Sequence, residues 1–302
     1  MATKSIVNIS SPSRLAPIQS ELDELVGEVE SFMKQQLLTE VNLESAAAVA
    51  AVYHLESGGR RIRARLALQA SLALELNRSD AIILAATVEF LHNASLIHDD
   101  LQDDEVMRHG MPTVGAAFGT NIAICVGDLF LSATYGTLGA YSNSSRLPQL
   151  IASVHAATSA AIRGQCAGFP HDEGDSPNNL NFYRQVAIEK SGALLSLPLK
   201  LAFLAAGCEQ YVQQADEAAK EFAVGYQIMD DLQDFEKDGP MAMNVVVVLQ
   251  ANWHIETAME LARQMGLDHL QNAADLAEKL PNGVGYLLRN LAISLRQVPP
   301  AT

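Results

Sequence analysis

Two short stretches of this chain carry matched carboxylates: "HDDLQDDE" at 98–105 and "MDDLQDFE" at 229–236. On a helix, Asp99 and Asp103 share a face because they lie four apart, and Asp100 and Asp103 because they lie three apart. Asp230, Asp231 and Asp234 repeat the arrangement, with the same inner "LQ". Like charges this close repel, and burying them raises their pKa values unless cations sit among them. Oxygen-only ligands from one helical turn suit a hard cation such as Mg2+, which binds through one or two carboxylates completed by substrate phosphate. A single acidic turn reads equally well as a solvated helix end. Two matched turns, each closing an apolar helix, read as ligand sets for several Mg2+ ions and a diphosphate.

A diphosphate also calls for cations. "GGRRIRAR" at 58–65 supplies Arg60, Arg61, Arg63 and Arg65 directly after a glycine break at a helix start. Guanidinium groups suit bidentate phosphate contacts, and a helix N-terminus adds a favourable field. His92 stands seven residues before Asp99 and therefore on its face, although an isolated histidine there reads equally as a core residue. Gln227 stands three, four and seven residues before the second set of aspartates, again on their face.

The elements that must position these groups read as helices almost throughout. Of 302 residues, 49% are hydrophobic and 18% charged, with alanine and leucine dominant. "IQSELDELVGEVESFMKQQL" and "ESAAAVAAVYHLES" are amphipathic helices, the second stopped by Gly58 and Gly59. Ser79 is placed to cap a long helix running through the first acidic turn and ending near Gly110 and Pro112. Further helices are expected over 121–142, 148–165, 180–207 and 211–236, interrupted by the polar loop "FPHDEGDSPNN". "NVVVVLQ" at 244–250 has strand-like composition but no alternating partner, and is read as helix; "PNG" at 281–283 is punctuation. The expectation is an all-α, single-domain helical bundle over 1–302, with 1–14 flexible. Net charge of −15 argues against a nucleic-acid partner. Cys125, Cys166 and Cys208 have no metal-type spacing and are expected as buried thiols in a reducing compartment. Neither a signal-type start nor an apolar run of membrane-spanning length is evident, so a soluble, cytoplasmic protein is expected.

The order "GGRRIR", "LHNASLIHDD", "DDLQDDEVMRHGMPT", "EKSGALLSLPL", "GYQIMDDLQD" resembles the successive motifs of the trans-isoprenyl diphosphate synthases, the polyprenyl synthetase family, over nearly the full chain. The resemblance implies the isoprenoid synthase fold, a homodimer, and condensation of an allylic diphosphate with isopentenyl diphosphate. It implies Asp99, Asp103 and Asp230 as principal Mg2+ ligands, completed by Asp100 and Asp234. Arg60, Arg63 and His92 would bind isopentenyl diphosphate and Arg108 the allylic diphosphate. Lys190 would neutralise the leaving group, while Ser191 and Gln227 present oxygen dipoles to the cation.

This chain departs from the family pattern in three places. Arg60 replaces a lysine; His109 follows Arg108 where a second arginine is usual; and the segment after the second aspartate motif retains Lys237 where two more lysines are usual. Two other readings therefore stand beside elongation: ionisation of a prenyl diphosphate without elongation, as in terpene cyclases, and a non-catalytic partner subunit. The small residues Ser95 and Ala94, four and five before Asp99, are expected at an open tunnel floor, with Phe90 and Leu91 deeper. A product of about twenty to twenty-five carbons would follow, unless the small residues merely allow close helix packing.

Overall fold

The computed structural model describes residues 12–40, 45–167, 179–235 and 243–297. Residues 1–11, the polar loop up to Asn178 and Lys237 lie outside the described residues. Apart from one two-stranded hairpin, the regular elements among the described residues are helices, as the composition implies. They fall into two compact units: Met1–Ala152 with Leu201–Gly207, and Ser153–Lys200 with Cys208–Thr302.

The first unit contains α1 (Pro12–Glu40), α2 (Ala46–Glu56), α3 (Ile62–Ala73) and α4 (Arg78–Gln102). The hairpin β1 (Met107–Arg108) and β2 (Met111–Pro112) follows, then α5 (Val114–Phe118) and α6 (Thr120–Leu138). α1 begins at Pro12, inside the stretch expected to be loose. α4 is the axis of the unit, packed on by α1, α3 and α6. Its buried side chains run nearly all round it, including Leu84, Ala85, Ala86, Val88, Phe90, Leu91, Ala94 and Ile97. A helix buried on that scale is a core helix.

The α4 cap differs from expectation. Asn77, not Ser79, takes the position: its side-chain oxygen accepts from the Asp80 N–H, and its amide donates to the Asp80 carboxylate at 2.7 Å. Asparagine caps as strongly as serine, and here it bonds in both directions. The helix also stops earlier, at Gln102. Asp104 turns left-handed (φ 52°), and the chain then forms the hairpin. Arg108 and Met111 pair across it, so Arg108 is carried on a strand folded back toward α4.

α4 and α6 meet along a seam. Phe90 of α4 lies 5.8 Å from Phe130 of α6, centroid to centroid, and His98 sits where any side chain at Gly127 would collide with it. Ala94 lies midway between Phe90 and His98 at four-residue spacing, and it is buried. Ala94 is thus placed where a small residue suits close packing of α4 and α6.

In the second unit, α7 (Leu147–Ala167) enters from the first at Ser153. α8 (Leu180–Ala187) leads through a π-helical turn, Ile188–Gly192, into α9 (Ala193–Ala205). α10 (Val212–Asp234), α11 (Val245–Gln250), α12 (Ile255–Glu278) and α13 (Tyr286–Arg296) complete it. "NVVVVLQ" is therefore helical, and "PNG" is a 3-10 turn. α10 packs closely on α12 because Gly225 and Gly266 face it and each other's helix: a β-carbon on Gly225 would come within 3.0 Å of the Leu270 backbone nitrogen. The helix expected over 180–207 runs without interruption over 180–205, widened by the π turn at 188–192.

Two further expectations are corrected. None of the three cysteines is buried; Cys125 and Cys166 are exposed, on outward faces of α6 and α7. α4 and α6 are long and apolar enough by length and composition to cross a membrane, although 72% of the apolar window of α4 is buried in the protein, as in a core helix.

Ala94→Tyr is expected to overpack the α4–α6 seam and cost about 1–3 kcal/mol. Denaturant unfolding checks this, and wild-type stability in the variant would remove Ala94 from the seam.

Candidate active site

In the first unit the cationic groups gather where α3 starts. The chain reaches α3 through Gly58 and Gly59, both at positive φ (88° and 121°), and Arg61 is left-handed (φ 49°). Gly59 lies beside the Arg61 guanidinium and the His109 ring, and its backbone conformation is one that a side chain would strain. Tyr53 ties the same hairpin to α2 by donating to the Pro112 carbonyl at 2.8 Å.

The four arginines do different work. Arg61 is nearly buried; it pairs with Glu30 at 2.9 Å and donates to the Leu55 carbonyl at 2.8 Å. Arg65 pairs with Asp23 of α1 at 2.6 Å. Arg63 points the other way and donates to His92 Nε2 at 3.0 Å. Arg60 is exposed at the helix start. Two arginines thus hold α3 to its neighbours, while Arg63 and His92 stand together with Arg108 near His92.

His92 is held neutral. Burial pushes its pKa well below the ordinary histidine range, and Arg63, Arg108 and Arg61 push it further. Because a guanidinium donates only, Nε2 is the acceptor and the proton belongs on Nδ1. His54, behind it, is also buried and donates Nε2–H to Asn93 Oδ1 at 3.0 Å. Burial lowers its pKa to about 4.

The acidic turn of α4 is divided. Asp99 is half-buried, and Asp103 is exposed as the C-cap, its N–H bonded to the Asp99 carbonyl at 2.9 Å, so the two stand one turn apart. Asp100 is 4% exposed and faces inward. Both Nε and Nη2 of Arg108 donate to its Oδ1, at 2.8 and 2.5 Å. In this arrangement Asp100 and Arg108, expected respectively on metal and on substrate, hold each other and so hold the hairpin.

The second unit repeats the division. Asp231 is 5% exposed. Its carboxylate accepts from Tyr183 Oη at 2.7 Å, Gln227 Nε2 at 2.8 Å and the Val245 N–H at 2.8 Å. Its carbonyl accepts from Asn244 Nδ2, whose oxygen caps α11 at Val246. Asp230 and Asp234 are half-buried on the flank of α10 beside Asp231. Gln227 donates to Asp231, which leaves its amide oxygen as the group to turn elsewhere. Tyr183 is buried beside that carboxylate, and its pKa is raised by burial first and by Asp231 next.

Lys190 and Ser191 sit in the π turn, Lys190 exposed and Ser191 half-buried. The turn is held against α7, where a β-carbon on Gly164 would lie 2.2 Å from the Lys190 backbone nitrogen. π turns of this kind recur at functional sites.

For Mg2+, the donor chemistry fits. Asp99 with Asp103, and Asp230 with Asp234, are oxygen pairs at helix ends. Among the described residues no three His, Cys, Asp or Glu side chains group around one point. Mg2+ held by one or two carboxylates and completed by substrate oxygens needs no such group.

Comparison with known proteins decides the family. A family model described as polyprenyl synthetase matches residues 45–266. The chain belongs to the polyprenyl synthetase family. Every site residue named above except Glu30 and Asp23 lies inside the matched stretch. The short chain isoprenyl diphosphate synthase of Methanocaldococcus jannaschii is 28% identical over 205 residues, 68% of this chain and 62% of that protein. The all-trans-nonaprenyl-diphosphate synthase (geranyl-diphosphate specific) of Rhodobacter capsulatus is 28% identical over 226 residues, 74% of this chain and 66% of that one. The match thus spans less than two thirds of those relatives' length. The solved geranylgeranyl pyrophosphate synthetase of Geoglobus acetivorans superposes with a TM-score of 0.80 at 21% identity, covering 92% of this chain and 99% of that one. The fold is that of the polyprenyl synthetases.

Sequence reasoning missed Tyr183 and Asn244, which carry no motif of their own. It also missed Glu89, whose signal was a carboxylate inside the apolar run "LAATVEFLHNASL".

Two predictions follow from this geometry. Gly164→Ala should displace the π turn and lower turnover at least tenfold, since about 1 Å of misplacement is costly in a catalytic site. Circular dichroism should show the helices retained, and full activity would show the turn's position to be immaterial. Separately, the folded pKa of His54 lies below its unfolded value, so the unfolded state binds the extra proton first. Its contribution is fully present above the ordinary value of 6.5 and is lost as pH falls toward 4, by about 3 kcal/mol. Unfolding titrations of wild type and His54→Gln should differ in slope across that window; equal slopes would contradict it.

Proposed function

We propose that the protein is a Mg2+-dependent trans-prenyltransferase that joins an allylic prenyl diphosphate to isopentenyl diphosphate, lengthening an all-trans chain and releasing pyrophosphate. The observation carrying this reading is the family match together with two intact acidic helix ends, each presenting one aspartate pair outward while its inner aspartate is bound by the fold.

In this reading Asp99, Asp103, Asp230 and Asp234 hold the metal ions. Mg2+ supplies charge stabilisation to the departing pyrophosphate. Arg60 and Arg63 bind the isopentenyl diphosphate, with neutral His92 holding Arg63 in place. Lys190 receives the leaving group. Gln227, its amide nitrogen bonded to Asp231, turns its oxygen toward the allylic cation, and Ser191 adds a second dipole. Arg108 serves this scheme by holding Asp100 and the hairpin. The double bond of isopentenyl diphosphate forms the new carbon–carbon bond, and a proton then leaves to the pyrophosphate.

The chain tunnel follows Asp99, Ser95 and Leu91, one face of α4 at four-residue spacing. Ser95 is half-buried and donates to the His92 carbonyl at 2.7 Å, while Leu91 is buried. Small Ser95 leaves room above Leu91, which supports a product of about twenty to twenty-five carbons. The protein works as a cytoplasmic homodimer in this reading. The support for the dimer is that α6 and the start of α7 leave Ile124 and Ile151 45% and 44% exposed.

The test supplies isopentenyl diphosphate with each allylic diphosphate and Mg2+, and identifies products by mass. Wild type should elongate to about twenty to twenty-five carbons, chelator and Asp99→Ala should abolish turnover, and Ser95→Tyr should shorten the product. Hydrocarbon or alcohol without elongation would establish a cyclase-like ionisation, and no consumption of either substrate a partner subunit; either result overturns the proposal.

A further inference from the structure

Glu89 is a carboxylate in the middle of the core helix α4, 1% exposed. Burial raises its pKa, and Arg61 and Arg63 act against that rise. A buried carboxylate is costly and needs a structural reason. The reason lies on α3. The α3 cap residue, Arg61, has left-handed backbone and no side-chain oxygen to offer the helix's first N–H groups. Glu89 Oε1 accepts the Ala64 N–H at 2.9 Å, capping α3 from another helix. One residue back on α3, Arg63 reaches His92 at 3.0 Å; three residues on along α4, His92 stands in the same row as Glu89. The first turn of α3 is therefore clamped to α4 by two bonds, and the second sets where the Arg63 guanidinium lies. The other carboxylate oxygen of Glu89 is buried with no hydrogen-bond partner, in the field of Arg61 and Arg63.

From this arrangement we infer that Glu89 is a positioning residue for the diphosphate of isopentenyl diphosphate: it caps α3 across the helix interface and so fixes Arg63 against His92. It touches no substrate itself. The inference rests on the reading of Arg60, Arg63 and His92 as that diphosphate's subsite.

Glu89→Met removes the acceptor at near-constant volume, and Glu89→Gln keeps it. Glu89→Met should raise KM for isopentenyl diphosphate about tenfold, the scale of one lost buried acceptor, with KM for the allylic diphosphate changed less than about threefold. Glu89→Gln should stay near wild type in both and keep the slow exchange of the Ala64 amide. Arg63→Ala serves as the control. If Arg63→Ala leaves the isopentenyl diphosphate KM unchanged, the subsite reading is wrong. If Arg63→Ala raises it and Glu89→Met does not, the positioning role alone is overturned. Equal rises in both KM values, or a Glu89→Gln variant as impaired as Glu89→Met, also overturn it, because the first is a general structural loss and the second a charge effect. Should Glu89→Met fail to fold, Glu89→Gln decides by its KM and its Ala64 exchange. Should wild type not elongate, binding of inorganic pyrophosphate by calorimetry replaces KM, with the same ordering expected.

Discussion

A carboxylate taken out of water must have its hydrogen bonds supplied by the protein, and at the second acidic turn Asp231 is supplied in this way. Three donors from α8, α10 and the start of α11 converge on it, and its carbonyl takes a fourth from Asn244. The core cluster of Tyr183, Val224, Ile228, Val245 and Val246 closes around the same point. Neighbouring residues on a helix point about 100° apart, so burying the second aspartate of a doublet directs the first away from the core. With Asp231 buried, Asp230 and Asp234 are left half-buried on the flank of α10. In the other unit the same logic holds with a different partner: Asp100 turns inward to Arg108, and Asp99 and Asp103 are left at the surface of the turn. In each doublet one carboxylate is thus taken up by the fold, and in the proposed reading the other serves the ion.

The cationic side is organised by a similar division. Four arginines within six residues would repel if all faced one ligand. Arg61 and Arg65 are instead neutralised by Glu30 and Asp23, and they hold α3 to its neighbours. That leaves Arg63 to meet a histidine that burial keeps neutral, so the pair presents one positive charge with a defined direction. In the proposed reading such groups would keep their geometry before a diphosphate arrives, which lowers the reorganisation needed when charge develops on it.

Much of this was legible in the sequence. The acidic doublets, the apolar helices behind them, the arginine run and the shared face of His92 and Asp99 all rest on spacing, which a helix converts directly into geometry. What spacing does not carry is which member of a doublet lies inside. That depends on donors brought from elsewhere in the chain: Arg108 for Asp100, and Tyr183 and Val245 for Asp231. The same holds for Ala94, whose seam role depends on where α6 packs, and for the π turn at Lys190, which depends on the approach of Gly164. The cysteines show the limit of residue-type averages: Cys125 and Cys166 stand on outward helix faces although free thiols favour cores. Glu89 was visible as a charge in an apolar run, yet its partner is a backbone N–H that no sequence pattern names.

The division within the doublets is tested most directly by Asp230→Asn and Asp231→Asn, each measured for both thermal unfolding and Mg2+-dependent prenyl transfer. The account predicts opposite outcomes. Asp231→Asn should lose about 2–3 kcal/mol of stability, because buried donors lose a charged acceptor, whereas Asp230→Asn should lose clearly less stability while its turnover collapses. If the two variants melt alike, or if Asp230→Asn turns over at the wild-type rate, the assignment of one aspartate to the fold and the other to the ion is wrong.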